Sequence, residues 1–151
     1  MRSIVPPSSS SALLLILGLV VPAAGCGAFK KANECKALVT SINNGVTALD
    51  AVGKGKSGND SAVIANLRKM ADGYDKLSAD TAKIDITTPE LKKQATDYAT
   101  LAKKSGQAAR DFAAAIEAKD PAKARASEKE FDKLADEEGK LADAMNKTCN
   151  N

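Results

Sequence analysis

Val63, Leu67, Met70, Tyr74, Leu77, Thr81 and Ile84 follow one another in alternating steps of four and three residues. No other feature constrains the chain as much. Only an α-helix brings side chains so spaced to one face, and a face of that length must be covered by other helices. Three more segments carry the same signal. Cys35, Leu38, Ile42, Val46, Leu49 and Val52 form a stripe in a segment running from about Phe29 to Val52. Leu91, Ala95, Tyr98, Ala102, Ser105, Ala109, Phe112 and Ile116 form a third, with Leu101 flanking. A fourth runs through Ala124, Phe131, Leu134, Leu141, Met145 and Cys149, with Ser127 and Glu138 at two stripe positions.

The boundaries between these segments are chemically marked. Gly53-Lys54-Gly55-Lys56-Ser57-Gly58-Asn59 interrupts the first helix with three glycines, and Asp60 or Ser61 is the expected N-cap of the second. Thr88-Pro89-Glu90 combines an N-cap threonine, a proline at the first helical position and an acid in the first turn, and Asp120-Pro121 repeats the device. Four helices of about 24 to 30 residues would each be about 36 to 45 Å long at 1.5 Å per residue. Short connections leave successive helices to run antiparallel. The expected fold is all-α: an antiparallel up-down-up-down four-helix bundle preceded by an N-terminal signal peptide.

That leader occupies residues 1–25. A single positive charge at Arg2 and a polar Pro6 to Ser11 stretch precede the ten apolar residues Ala12 to Val21, too short a run to span a bilayer, which takes about 20. Small residues and a cysteine follow. Ala23-Ala24-Gly25-Cys26 resembles the lipobox of bacterial lipoproteins, with Ala23 where the pattern usually has leucine. The resemblance covers the leader only. It implies lipidation of Cys26 and a lipidated tether over residues 26–28, after which the bundle read from the stripes occupies residues 29–151. It also implies outer-membrane sorting in a Gram-negative source, because Gly27 is not the aspartate associated with inner-membrane retention. Cleavage near Gly25 by an ordinary signal peptidase is the alternative, and would give a freely soluble secreted protein.

With Cys26 lipidated, the odd number of cysteines in an exported chain is resolved. Cys35 and Cys149 remain, close to the two ends of the mature chain, and can meet only where those ends are adjacent. An even-numbered antiparallel bundle places them so, and the expected disulfide closes a loop worth about 4.7 kcal/mol in the chain-entropy account.

Composition narrows the functional classes. The net charge of +3 is produced by interleaved signs, which reads as a solvated surface and not a nucleic-acid footprint. The chain has no histidine, so a Ser-His-Asp or Cys-His nucleophile is excluded and haem or di-metal bundle sites lose their usual ligands. No phosphate loop, HExxH, CxxCH or GxGxxG is present. Met70 and Met145 are expected as core filler. No catalytic residue, metal site or cofactor is assigned.

Several residues stand out from the pattern. Each expected helix holds one interior glycine, Gly45, Gly73, Gly106 and Gly139. They are read as tolerated positions at the surface edge, the alternative being close helix approach or a slot between helices. Glu138 on the core stripe is expected to snorkel at the bundle edge, the alternative being a partly buried acid paired with a lysine. Tyr74 and Tyr98 are expected to pack with their hydroxyls at the rim, and Asp136–Lys140 and Asp143–Lys147 to pair on the outer face. Lys30, Lys31, Lys36, Lys83, Lys92, Lys93 and Lys147 gather at the lipidated end, partly offset by Glu34, Asp80, Asp85 and Glu90; beside anionic head groups they would add attraction.

The functional expectation is a non-enzymatic, membrane-anchored envelope lipoprotein acting as an interaction or structural module. It would offer its outer helix faces or the Gly53–Asn59 loop to a protein or cell-wall partner. The alternative is a carrier or sensor binding a small apolar ligand between the helices.

Overall fold

The computed structural model describes residues 26–54 and 58–150. Residues 1–25, the expected leader, and the middle of the Gly53–Asn59 loop lie outside the described residues. Four helices account for nearly all of them: α1 (Cys26–Gly53), α2 (Asp60–Ala82), α3 (Pro89–Glu117) and α4 (Pro121–Asn150). No strand occurs among the described residues. Residues 26–28, expected as a tether, are the first residues of α1.

The helix ends follow the sequence signals with two corrections. Asn59, not Asp60 or Ser61, caps α2: its backbone is extended and its side-chain oxygen accepts from the Ala62 N–H at 2.9 Å. Asp60 instead places its carboxylate in the first turn, near the positive end of the helix dipole. Thr88 occupies the N-cap position of α3, yet its side chain makes no capping bond. Asp120 behaves as expected, accepting from the N–H groups of Ala122 at 3.1 Å and Lys123 at 3.0 Å. Just before it, Lys119 adopts a φ of 52°, the left-handed turn that ends α3.

Cross-helix pairs give the order of packing. Along α2 and α3, Arg68 meets Glu117, Asp75 meets Arg110, and the Ser78 hydroxyl donates to the Ala99 carbonyl; numbers rise on one helix as they fall on the other. The same holds for Gly45 with Leu77 and Leu49 with Gly73 on α1 and α2. It holds again for Gln94 with Thr148 and Phe112 with Phe131 on α3 and α4. Cys35 and Cys149 form a disulfide with Cα atoms 5.8 Å apart, tying the beginning of α1 to the end of α4.

α3 is the central helix, buried at intervals from Leu91 to Ala115 and packed against both α2 and α4. The main core runs inward from the disulfide, with Cys35, Leu38, Ile42, Leu77, Leu91, Tyr98 and Met145 in one cluster. A smaller cluster of Leu101, Ala108 and Leu134, with Phe131 against it, fills the other half between α3 and α4. Burying a leucine or methionine side chain in this way contributes about 1.5–3 kcal/mol, so the two clusters supply most of the drive for packing.

Three of the four interior glycines correct the surface-edge reading. A Cβ on Gly45 would lie 2.5 Å from Leu77 Cδ1, one on Gly73 would lie 2.7 Å from Leu49 Cδ2, and one on Gly106 would lie 3.2 Å from the Ala71 carbonyl oxygen. These glycines exist because the neighbouring helix needs the volume. No slot remains at Gly45 or Gly73, since leucines fill both notches. Gly139 has nothing within 4 Å of such a Cβ and is the surface position expected of all four.

Candidate functional site

Of the residues singled out from sequence, the fold brings Cys35 and Cys149 together and gathers Tyr74, Tyr98 and Glu138 near the middle of the bundle. Cys26, the expected lipid acceptor, opens α1. Each feature follows from helix register.

Tyr98 projects from α3 into the core and is 2% exposed. Its hydroxyl donates to Glu138 Oε1 on α4 at 2.6 Å. The expected rim position is therefore wrong for Tyr98, and Glu138 is a half-buried acid whose partner is a tyrosine and not a lysine. A phenol is the better fit here, because its six-membered ring crosses the apolar layer and delivers one donor to the carboxylate without burying a second charge. Burial, followed by the Glu138 charge, raises the Tyr74 hydroxyl to about 12 and the Tyr98 hydroxyl further. Both phenols thus stay protonated well above the ordinary range, and the Tyr98–Glu138 hydrogen bond ties α3 to α4.

Glu34 is a site that the stripe pattern did not reveal. It is buried on α1, and its carboxylate accepts from the Thr87 N–H at 2.9 Å, the Thr87 hydroxyl at 2.7 Å and the Thr88 N–H at 3.1 Å. The Thr87 hydroxyl, then the Thr88 hydroxyl, with the backbone N–H groups of both adding to them, hold the carboxyl down at about 2 against an ordinary 4.5. Glu34 thereby fixes, from another helix, the connection that leads into α3. A signal was present: an acid one residue from a core cysteine, opposite a Thr-Thr-Pro helix start.

The disulfide end carries a second network. Gln94 Nε2 donates to Thr148 Oγ1 at 2.9 Å, and that hydroxyl has the Glu90 carboxylate and the Ala144 carbonyl, each at 3.0 Å, as alternative acceptors. The surface is laced by Arg68–Glu117 at 2.8 Å, by Arg110 with Asp75 and Asp72, and by Lys133 with Glu130 and Glu137. Asp136, Lys140, Asp143 and Lys147 do lie on the exposed face, but the expected Asp136–Lys140 and Asp143–Lys147 pairs are not formed. Exposed pairs of this kind contribute at most about 1 kcal/mol.

A groove of about 500 Å³ opens between the end of α2 and the start of α3. Ile84, Ile86, Ala95 and Ala99 line it together with Lys83, Lys92 and Lys103. Met145 is fully buried and Met70 packs against the same core, as filler. Among the described residues, no group of three or more His, Cys, Asp or Glu side chains is placed to hold a metal ion, and no helix is long and apolar enough to cross a membrane. The chain matches no protein-family model, no curated protein and no solved structure.

Proposed function

We propose that this protein is a non-enzymatic lipoprotein of the bacterial envelope, held on a membrane by a lipid on Cys26 and acting as an interaction or structural module. The observation that carries the reading is Ala23-Ala24-Gly25-Cys26 at the end of an apolar leader run. Cys26 is also the first residue of α1, so a lipid there would be joined to the bundle through helix and not through a flexible linker. The packed core and cross-helix locks supply a rigid body whose outer faces are free to meet a protein or cell-wall partner.

The test is the intact mass of the protein purified from its host's membranes, before and after reduction. The expected mass is that of residues 26–151 with diacyl or triacyl modification, gaining two hydrogens on reduction, and Cys26→Ser should move the protein out of the membrane fraction. An unmodified mass, or retention of the Cys26→Ser chain on membranes washed at high salt, would overturn the anchor.

A second reading is favoured by the α2–α3 groove. Its apolar floor and lysine rim suit an amphipathic anion, which would make the protein a carrier or sensor. The ligand would then lie on the outside of the helix pair and not between the helices at Gly45 and Gly73. Native mass spectrometry decides it: a retained small molecule lost on Ala99→Trp supports the carrier, and a bare protein opposes it.

A further inference from the structure

α1 runs on past the rest of the bundle. Cys35 is level with Cys149, one residue before the end of α4, and Glu34 is level with the α2–α3 connection at Thr87 and Thr88. Residues Cys26 to Asn33 continue the helix beyond both, by about 12 Å at 1.5 Å per residue. On this extension Phe29 is 69% exposed, the one large hydrophobic side chain left in the open among the described residues. Lys30 follows it, exposed, and Lys31 is half-buried.

The charges at this end are arranged around the extension. Lys36, Lys83, Lys92 and Lys147 are exposed. Among the described residues, neither they nor Lys30 and Lys31 form an ion pair, whereas Lys93 is taken by Asp97. Of the acids at the same end, Glu34 is buried in the Thr87–Thr88 connection, Asp80 is held by Lys76 and Glu90 faces the Thr148 hydroxyl. Asp85 is the exposed exception. The surface is therefore basic, with one aromatic ring at its tip.

We infer that the projecting turns of α1 are a second membrane contact, in which Phe29 enters the boundary between head groups and acyl chains of an anionic bilayer while the lysines meet its head groups. The inference rests on the reading of Cys26 as the residue that brings this end to a membrane, and adds an orienting contact made by the chain itself. A lone ring among ammonium groups on a projecting helix is the composition of an interfacial anchor. A stable protein interface would need a contiguous patch of about 800 Å² per partner, and one ring does not provide it. Phe29 and the lysines fix the tilt of the bundle; the lipid holds it in place.

The test uses residues 26–151 carrying Cys26→Ser, since the core, the disulfide and the cross-helix contacts lie within Glu34 to Cys149. This chain should float with vesicles rich in phosphatidylglycerol at low salt and separate from them at high salt or with phosphatidylcholine alone. Phe29→Ala should lower the partition coefficient about tenfold, and Lys30→Gln or Lys31→Gln about fivefold each, with helicity unchanged by circular dichroism. Absence of partition by the folded chain would overturn the inference. Partition indifferent to Phe29→Ala, or a dimer in sedimentation that Phe29→Ala abolishes, would overturn it too. Because this chain carries no lipid, failure here leaves the mass test of Cys26 standing, and an unmodified Cys26 mass leaves the vesicle result standing.

Discussion

Leu77 on α2 occupies the notch that Gly45 leaves in α1, where a Cβ would sit 2.5 Å from its Cδ1 and 3.1 Å from its Cγ. The relationship is reciprocal one turn away, with Leu49 of α1 seated over Gly73 of α2. Two leucines and two glycines, each pair spaced i, i+4 on its own helix, thus set how closely α1 and α2 approach. Helix propensity is given up at both glycines to make this approach possible.

Gly45→Ala should therefore destabilise the fold despite the better helix former. Displacing Leu77, which is 2% exposed, costs about 1–3 kcal/mol, against about 1 kcal/mol of propensity gained. Gly139→Ala, with open space around it, should stabilise by about 0.5–1 kcal/mol. Urea midpoints of the two variants should move in opposite directions; movement in the same direction would refute the notch.

Removing the disulfide through Cys35→Ser with Cys149→Ser should cost about 4.7 kcal/mol, because the bridge spans a sequence separation of 114 and restricts the unfolded chain over that length. Denaturant unfolding of this variant against the oxidised protein measures it. A difference below about 1 kcal/mol would mean that the unfolded chain is already held compact by other means.

The chain has two tyrosines and no tryptophan, so tyrosinate absorbance reports on Tyr74 and Tyr98 alone. Burial raises both hydroxyls, Tyr74 to about 12 and Tyr98 beyond it, against 10.0 when unfolded. A folded pKa above the unfolded one contributes stability that is complete below pH 10 and is lost as pH rises through the folded value. Little tyrosinate should form at pH 10.5 while circular dichroism is native, and its appearance at higher pH should coincide with unfolding. Tyr98→Phe should cost about 1.5–3 kcal/mol through the lost bond to Glu138. Titration of both groups near pH 10 in the native state would contradict the burial of the pair.

Acid should act through Glu34. Its folded pKa of about 2 lies below the unfolded 4.5, so its contribution is complete above the unfolded value and is lost as pH falls from about 4.5 toward 2. Glu34→Gln should lower stability at pH 6, and the gap from the natural protein should narrow as pH falls to 2. Equal gaps at pH 6 and pH 2 would show that the carboxylate charge is not what holds Thr87 and Thr88.

Much of the fold was legible because it depends on local periodicity. The stripes through Leu38, Leu77, Leu91 and Met145 name residues that are buried, since amphipathic helices repeat their core face every three or four residues whatever their neighbours are. Pro89 and Pro121 mark helix starts for a reason equally local, the missing N–H and fixed φ of proline. The roles of Tyr98 and Glu138 were not legible, because a stripe position does not say which side chain of another helix stands opposite.

The sequence by itself determined four amphipathic helices, their approximate limits, and a cysteine near the start of the first and the end of the last. These properties belong to a single segment and its solvent. The structure forms the Cys35–Cys149 bond that the sequence led one to expect, and it alone decided that Glu34 accepts from the Thr87 and Thr88 N–H groups ahead of α3, that Gly45 and Gly73 are notches, and that Phe29 stands clear of the bundle. The physical reason is that capping, notching and burial are pairwise between helices distant in sequence, and only their packed register specifies the pairs.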